Sequence, residues 1–215
     1  MNPEFSEAEI AAGRTLFLGP VTFVTSVAAL DTLPAGDRPE IALAGRSNVG
    51  KSSLVNALTR RNTLAKTSNT PGRTQMLNYF DLGGRAHLVD MPGYGYAEAP
   101  KTKVAAWNKL VLDYLKGRPN LVRVLVLIDA RHGPKPPDRE IMAILDKAAV
   151  SYQLILTKMD KPSAKEASEN VAATVAEARK HPAAHPDVIA TSAVKDEGID
   201  ALRAALAGLP GIAPK

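Results

Sequence analysis

The chain has 215 residues, 45% apolar and 23% charged, with a formal net charge of +5; that is one ordinary soluble domain able to bury a sizeable core. It has no cysteine, which excludes disulfides, thiolate metal sites and cysteine nucleophiles and fits a reducing compartment. The acidic start Met1-Asn2-Pro3-Glu4-Phe5-Ser6-Glu7 lacks the plan of a signal peptide, and no apolar run is as long as a membrane span, so the expected location is the cytoplasm.

Residues 4–17 read as a short helix with Phe5, Ile10, Leu16 and Phe17 on its apolar face, stopped by Gly19-Pro20. The alternating, β-branched run 21–27 reads as a strand. A second strand is expected at 40–44 and a helix at 51–60, with a glycine-bounded loop between them. Residues 61–74 have no period and much turn chemistry, the mark of a long functional loop. The runs 75–82 and 86–89 flank Gly83-Gly84-Arg85 and predict a tight hairpin, hence an antiparallel strand in an otherwise parallel sheet.

Residues 102–115 form an amphipathic pattern carrying Val104, Trp107, Leu110, Val111 and Leu115, with Trp107 expected in the core. The continuous apolar run 121–128 predicts a buried central strand. A helix from Asp138 to about Ala148, a strand at 151–156, an Ala-rich helix at 163–180, a strand at 187–190 and a helix at 198–207 complete the chain. Strands alternating with helices predict a three-layer α/β fold with a mostly parallel six-stranded sheet and one antiparallel strand. The expected division is an N-terminal extension at 1–38, a main domain at 39–209 and a frayed tail at 210–215.

Charge is spread unevenly. Residues 51–135 carry 14 basic and 5 acidic side chains, a balance of +9, against −3 for residues 1–50 and −1 for 136–215. That excess reads equally as a solvated face or as a surface for a polyanion such as RNA. Arg60, Arg61, Lys66, Arg73, Lys101 and Lys103 are the candidate residues for such a face.

The motifs fall at predicted strand ends, where open α/β sheets bind ligands. Gly45-Arg46-Ser47-Asn48-Val49-Gly50-Lys51-Ser52 stands between strand and helix as a phosphate-binding loop. Its glycines let backbone N–H groups curl around a polyphosphate, and the following helix start, at Ser53, adds partial positive charge. Lys51 meets the β- and γ-phosphates, and the Ser52 hydroxyl ligates Mg²⁺. Asp90-Met91-Pro92-Gly93 supplies a carboxylate for the Mg²⁺ shell, through water, and the Gly93 N–H for a γ-phosphate oxygen. Thr157-Lys158-Met159-Asp160 selects the base: one carboxylate accepts both the N1–H and the 2-amino protons of guanine, and adenine lacks that pair. Thr191-Ser192-Ala193 offers a backbone N–H to guanine O6. A nucleotide-dependent enzyme or kinase using ATP is disfavoured by Asp160.

These strings, with Thr70-Pro71-Gly72-Arg73-Thr74-Gln75 and the run from Asp90 through Tyr94, Gly95, Tyr96 and Ala97, resemble the translation-factor-related GTPases and, more particularly, the bacterial EngB (YihA/YsxC) family. The resemblance runs from Phe5 to about Leu209. It implies a Ras-like fold, a GTP/GDP switch cycle, a role in assembling the large ribosomal subunit from its rRNA and ribosomal proteins, and a link to cell division and septation. It also implies that the nucleotide site includes Gly72, Arg73, Thr74, Gln75 and Met76. Thr74 is then the threonine that joins Ser52 on Mg²⁺ and senses the γ-phosphate, with Thr70 the competing position. Where Ras-like GTPases keep a water-orienting glutamine, this chain has Tyr94, so intrinsic hydrolysis is expected to be slow. In related GTPases an Asn at the place of Asn48 helps ligate K⁺, an alternative to Asn48 simply capping the loop. Lys51, Asn48, Thr74 and Gly93 are therefore the candidate catalytic groups. No DNA partner and no dimerisation element are expected, and a GTP-dependent binding module with negligible hydrolysis is the alternative to a turning-over enzyme.

Overall fold

The computed structural model describes residues 2–61, 64, 76–94 and 101–212, with 101–108 as helical backbone. In chain order the elements are α1 (Glu7–Leu18), β1 (Val21–Val27), β2 (Glu40–Gly45), α2 (Lys51–Thr59), β3 (Leu77–Leu82), β4 (His87–Asp90), α3 (Lys101–Gly117), β5 (Leu121–Asp129), α4 (Pro136–Lys147), β6 (Tyr152–Thr157), α5 (Ala164–Ala178), β7 (Ile189–Ala190) and α6 (Ile199–Ala207). The largest departure from the sequence reading is β7, two residues long instead of four. The Asp187 carbonyl accepts from Gln153 Nε2 at 3.0 Å, a side-chain bond in place of a strand ladder.

The sheet order is β1-β3-β4-β2-β5-β6-β7. Strand β3 alone runs against the rest, antiparallel to β4 and to β1, while β4, β2, β5, β6 and β7 are parallel. Gly83 and Gly84, at φ +60° and +72°, make the β3–β4 hairpin turn, the conformation that a two-residue turn needs to match strand twist. The expected six strands are present, and β1 from the N-terminal extension adds a seventh at the edge. A register shift between Phe23 and Thr25 breaks that edge strand, which discourages pairing with another chain.

Alternating side chains feed two cores. Ile41, Leu43, Leu125 and Leu127 face α1, α2 and α6 through Leu16, Phe17, Leu54, Leu58, Leu202 and Leu206. Ala42, Ala44, Val124, Val126 and Ile128 face α3, α4 and α5 through Val111, Tyr114, Met142 and Leu145. Small residues on β2 keep its outer face narrow where the helices pack. The Trp107 side chain lies outside the described residues.

Two buried polar groups tie this frame together. Glu40, fully buried, accepts from Tyr114 Oη (2.8 Å), Tyr79 Oη (3.3 Å) and Arg118 Nη2 (2.6 Å), so the end of α3 is fastened to the start of β2. Arg203 on α6, also fully buried, donates to the Leu58 (2.9 Å) and Ala57 (2.7 Å) carbonyls. Those are carbonyls of the last turn of α2, where intrahelical donors run out; Ala57 also accepts from Arg60 N–H at 3.3 Å. Within the stretch expected to fray, Ile212 is anchored: it is 1% exposed within the first core, and Arg85 Nη2 donates to its carbonyl at 2.5 Å. Ile212 docks because burying an apolar side chain in that core removes it from water.

Candidate functional site

Because β2, β4, β5 and β6 run parallel and side by side, their carboxyl ends bring the predicted motifs to one rim of the sheet. The loop after β2 turns into α2 at Gly50, whose φ of +105° only glycine adopts easily. Leu54 N–H returns to the Gly50 carbonyl at 2.9 Å, so α2 begins one turn earlier than its first apolar residue. Ser47, Lys51 and Ser52 are partly exposed, Asn48 and Ser53 exposed, and Val49 is buried.

Lys51 Nζ bonds to Asp90 Oδ1, the last residue of β4. The ammonium and carboxylate that the sequence assigned to phosphate and metal are thus adjacent and at most 13% exposed. Ser52 and Asp90 are hard oxygen donors, the set that suits Mg²⁺. Met91 is buried and bonds through N–H to the Leu43 carbonyl at 3.1 Å. Tyr94 N–H donates to the Gly45 carbonyl and Ser47 N–H to the Tyr94 carbonyl, both at 3.2 Å, so the segment after Gly93 is laced to the phosphate loop.

The Tyr94 side chain turns away from that rim. It is 5% exposed in the second core, and its hydroxyl donates to Asp138 Oδ1 at 2.9 Å. The same oxygen accepts from Arg46 Nε at 3.1 Å, and Asp138 Oδ2 caps α4 by accepting from Lys135 N–H at 2.8 Å. Asp138 itself is fully buried. Burial, and then the Asp138 charge, push the Tyr94 hydroxyl far above the ordinary phenol range, so it stays a donor.

The base motif has a second occupation. Thr157 Oγ1 donates to the Val49 carbonyl at 2.6 Å, and Lys158 Nζ to the Asn48 carbonyl at 2.5 Å. Lys158 is held by Asp129 Oδ2 at 2.9 Å, and Arg131 grips the same carboxylate through Nε (2.9 Å) and Nη2 (2.7 Å). Burial works to raise the Asp129 pKa, but the Arg131 and Lys158 cations outweigh it and hold the carboxyl well below its usual range. Asp160 Oδ1 accepts from Ser192 Oγ at 2.8 Å, and Met159 N–H donates to the Thr191 carbonyl at 3.1 Å. The Ser192 hydroxyl, and then Lys161, lower the Asp160 pKa and keep the carboxylate ionised. Ala193 follows, partly exposed, on the same rim.

The structure therefore brings together the residues at 45–53, 90–93, 157–160 and 191–193. Met76 is described and 43% exposed. Thr70, Gly72, Arg73, Thr74, Gln75, Gly95, Tyr96, Ala97 and Lys66 lie outside the described residues, as do the side chains of Lys101 and Lys103. Arg60 is 59% exposed at its side chain and sits 3.3 Å from Asp196, and Arg61 reaches the Gly19 carbonyl at 3.5 Å. Asp129 and Asp138 went unnoticed in the sequence. Asp129 left a signal, a lone carboxylate ending a nine-residue strand whose preceding five residues are apolar; Asp138 left none beyond its place at a helix start.

A family model described as "50S ribosome-binding GTPase" matches residues 40–158, and one described as "Elongation factor Tu GTP binding domain" matches 120–210. A protein of Rhodospirillum rubrum named "Probable GTP-binding protein EngB" is 59% identical, covering 95% of this chain and 93% of its own length. A protein of the same name from Cereibacter sphaeroides is 52% identical over 97% of this chain and 96% of its own. Among solved structures, a probable GTP-binding protein engB covers 78% of this chain and 96% of its own with a TM-score of 0.63 at 23% identity. Aquifex aeolicus Era bound to GDP and aluminium fluoride covers 80% of this chain and 56% of its own with a TM-score of 0.62 at 24% identity.

Proposed function

The chain belongs to the EngB family of P-loop GTP-binding proteins, and from that premise we propose that it is a nucleotide-driven switch in assembly of the large ribosomal subunit, acting in the cytoplasm as a monomer. The match to a 50S ribosome-binding GTPase model over 40–158 carries this reading. The basic balance of residues 51–135, which include the whole stretch between the phosphate loop and β5, supports contact with rRNA phosphates. A link to cell division and septation follows from the same family.

On this reading Lys51 binds the β- and γ-phosphates, Ser52 and Asp90 hold Mg²⁺ (Asp90 through water), and Thr74 and Gly93 sense the γ-phosphate. Bound Mg²⁺ supplies charge neutralisation between phosphate oxygens. Asp160 reads guanine and Ala193 N–H its O6. Lys51 and Asp90 carry opposite charges, so each would exchange their mutual bond for an oppositely charged partner when nucleotide and Mg²⁺ bind. Hydrolysis is slow without the ribosomal particle, because the side chain after Gly93 is committed to Asp138. Asn48 supports a K⁺ site: it sits at φ +60°, and its side-chain amide makes no hydrogen bond with the described residues. Equal turnover in KCl and NaCl, with and without ribosomal subunits, would remove that role.

The test is recovery of ribosomal particles with the chain loaded with GTP, GDP or a non-hydrolysable analogue. Large-subunit particles should come down with the GTP and analogue forms, and release should steepen as salt rises. Binding to no particle in any state sinks the reading. The buried Tyr94 also favours a second reading, a GTP-dependent binding module with negligible hydrolysis; single-turnover hydrolysis with added large subunits separates the two.

A further inference from the structure

We propose that the N-terminal extension delivers Asn2 as a clamp on the guanine-reading loop, making Asn2 a positioning residue for base specificity. The inference rests on the reading of Ala193 N–H as the donor to guanine O6, and the experiment below separates the two.

Strand β7 is two residues long, and the loop Thr191-Ser192-Ala193 leaves directly from it. Within a strand, the N–H and C=O of one residue point to one side and those of the next residue to the other. At Thr191 the inward side is satisfied by β6 and the turn after it: its N–H donates to the Leu156 carbonyl at 2.7 Å, and its carbonyl accepts from Met159 N–H at 3.1 Å. Ala190 therefore faces outward. Among the described strands none lies on that side of β7. Its place is taken by one side chain: Asn2 Nδ2 donates to the Ala190 carbonyl at 3.0 Å, and Ala190 N–H donates to Asn2 Oδ1 at 2.7 Å. A carboxamide offers one donor and one acceptor in a plane, as a peptide group does, so Asn2 supplies a single rung of a missing strand.

The surroundings fit that rung closely. A Cβ on Gly198 would lie 2.0 Å from the Ala190 carbonyl oxygen and 2.8 Å from Asn2 Nδ2, so the backbone at Gly198, at φ +71°, closes over both partners. Asn2 is carried there by α1. Ser6 caps that helix, with Ser6 Oγ and N–H both bonded to Glu9 Oε2 (2.7 and 2.8 Å), and Arg14 binds Asp200 of α6 at 2.5 Å. Between Ala190 and Ala193 only Thr191 and Ser192 intervene, and the Ser192 hydroxyl orients the Asp160 carboxylate. A shift of β7 outward by a few tenths of an ångström moves the donor to O6 and the orienting hydroxyl together. Asp160 keeps Lys161 at 3.2 Å from its other oxygen, whereas the donor to O6 follows β7 directly, so the clamp acts mainly on the part of guanine recognition that lies at O6, with no contact to nucleotide.

The test uses the full chain and calorimetric affinities for GDP and for its 6-thio analogue, which keeps the N1–H and 2-amino protons but replaces O6 with a poorer acceptor. Asn2→Ala should weaken GDP about tenfold, from the loss of two hydrogen bonds that order the loop, and weaken the 6-thio analogue less, so their ratio narrows. Asn2→Asp, which keeps the acceptor and sets a negative charge against the Ala190 carbonyl, should narrow it further. An unchanged ratio in both variants, or equal losses for both nucleotides, overturns the clamp. If the unaltered chain does not prefer GDP to the analogue, the O6 reading of Ala193 fails first and the clamp falls with it.

Discussion

Replacing Tyr94 by Phe separates a structural phenol from a catalytic one. The ring would stay in the second core, and the backbone bonds of residue 94 to Gly45 and Ser47 would remain. Only the hydroxyl bond to Asp138 Oδ1 is lost, and that oxygen keeps Arg46 Nε at 3.1 Å while Oδ2 keeps the Lys135 N–H. The carboxylate is therefore weakened in its solvation and not orphaned, so the cost is about 1–2 kcal/mol, the lower part of the range for bonds to charged groups. For a chain of this size that lowers Tm by about 3–6 °C. Single-turnover GTP hydrolysis should stay within about threefold of the parent, since the change is worth less than 1 kcal/mol to a transition state it does not touch. Tyr94→Gln should also fail to speed hydrolysis, because the backbone at 94 aims its side chain toward α4. Thermal melts and single-turnover assays on the same preparations decide the matter. A loss of hydrolysis above tenfold in Tyr94→Phe with an unchanged Tm would refute the reasoning and return the phenol to the active site.

Asp160→Asn removes two charge-assisted bonds to guanine, so GDP affinity should fall by about 10²–10⁴-fold, while xanthosine diphosphate, whose C2 carbonyl accepts from the new amide, should lose far less; equal losses in calorimetry would contradict the base assignment. In acid, the Asp200 carboxyl is held down to about 2 by the Arg14 guanidinium, with Arg203 assisting against burial. A carboxyl with a folded-state pKa below its unfolded value stabilises the fold above about pH 4 and loses that contribution as the pH falls toward 2. Arg14→Ala should therefore lower stability at pH 7, where the contribution is fully present, and move the acid unfolding midpoint upward by a few tenths of a pH unit, as read by circular dichroism; no movement would mean that Arg203 alone sets the carboxyl.

The order of strands and helices was legible because each is announced locally: β-branched runs, 3.6-residue periodicity, and glycines at turns. The phosphate loop and the base motif were legible for the same reason, being contiguous strings whose chemistry needs fixed spacing. What could not be read were bonds between distant residues. Tyr94 read only as the residue standing in place of a water-orienting glutamine, because nothing in its neighbours announces Asp138, 44 positions away. Asn2 and Ala190 are 188 positions apart, and an asparagine before a proline reads only as a turn. Ile212 was expected to fray since two prolines and a glycine surround it, yet one buried side chain outweighs that local preference when a core groove is waiting.

The bonds around the phosphate loop also bear on where a switch of this kind discriminates between its two nucleotides. Thr157 and Lys158 draw the Val49 and Asn48 carbonyls outward, and Asp138 holds Arg46 at the loop's start. Val49 N–H donates to the Arg46 carbonyl at 3.1 Å and Ser47 N–H to the Tyr94 carbonyl at 3.2 Å, so the loop is held in shape and the start of α2 supplies the N–H groups that suit phosphate. Each anchor is tied to the scaffold: Thr157 ends β6, Lys158 follows it directly, and Asp138 lies in the first turn of α4. A cradle formed before binding saves the cost of ordering a loop, but that saving is the same for GDP as for GTP, because both present the α- and β-phosphates. Equal affinity shifts no equilibrium. On the proposed assignment, discrimination by the γ-phosphate therefore falls outside the cradle, to Gly93 and Thr74. Of these, Gly93 is joined to the scaffold through Tyr94, whose backbone is bonded to Gly45 and Ser47 and whose hydroxyl is bonded to Asp138.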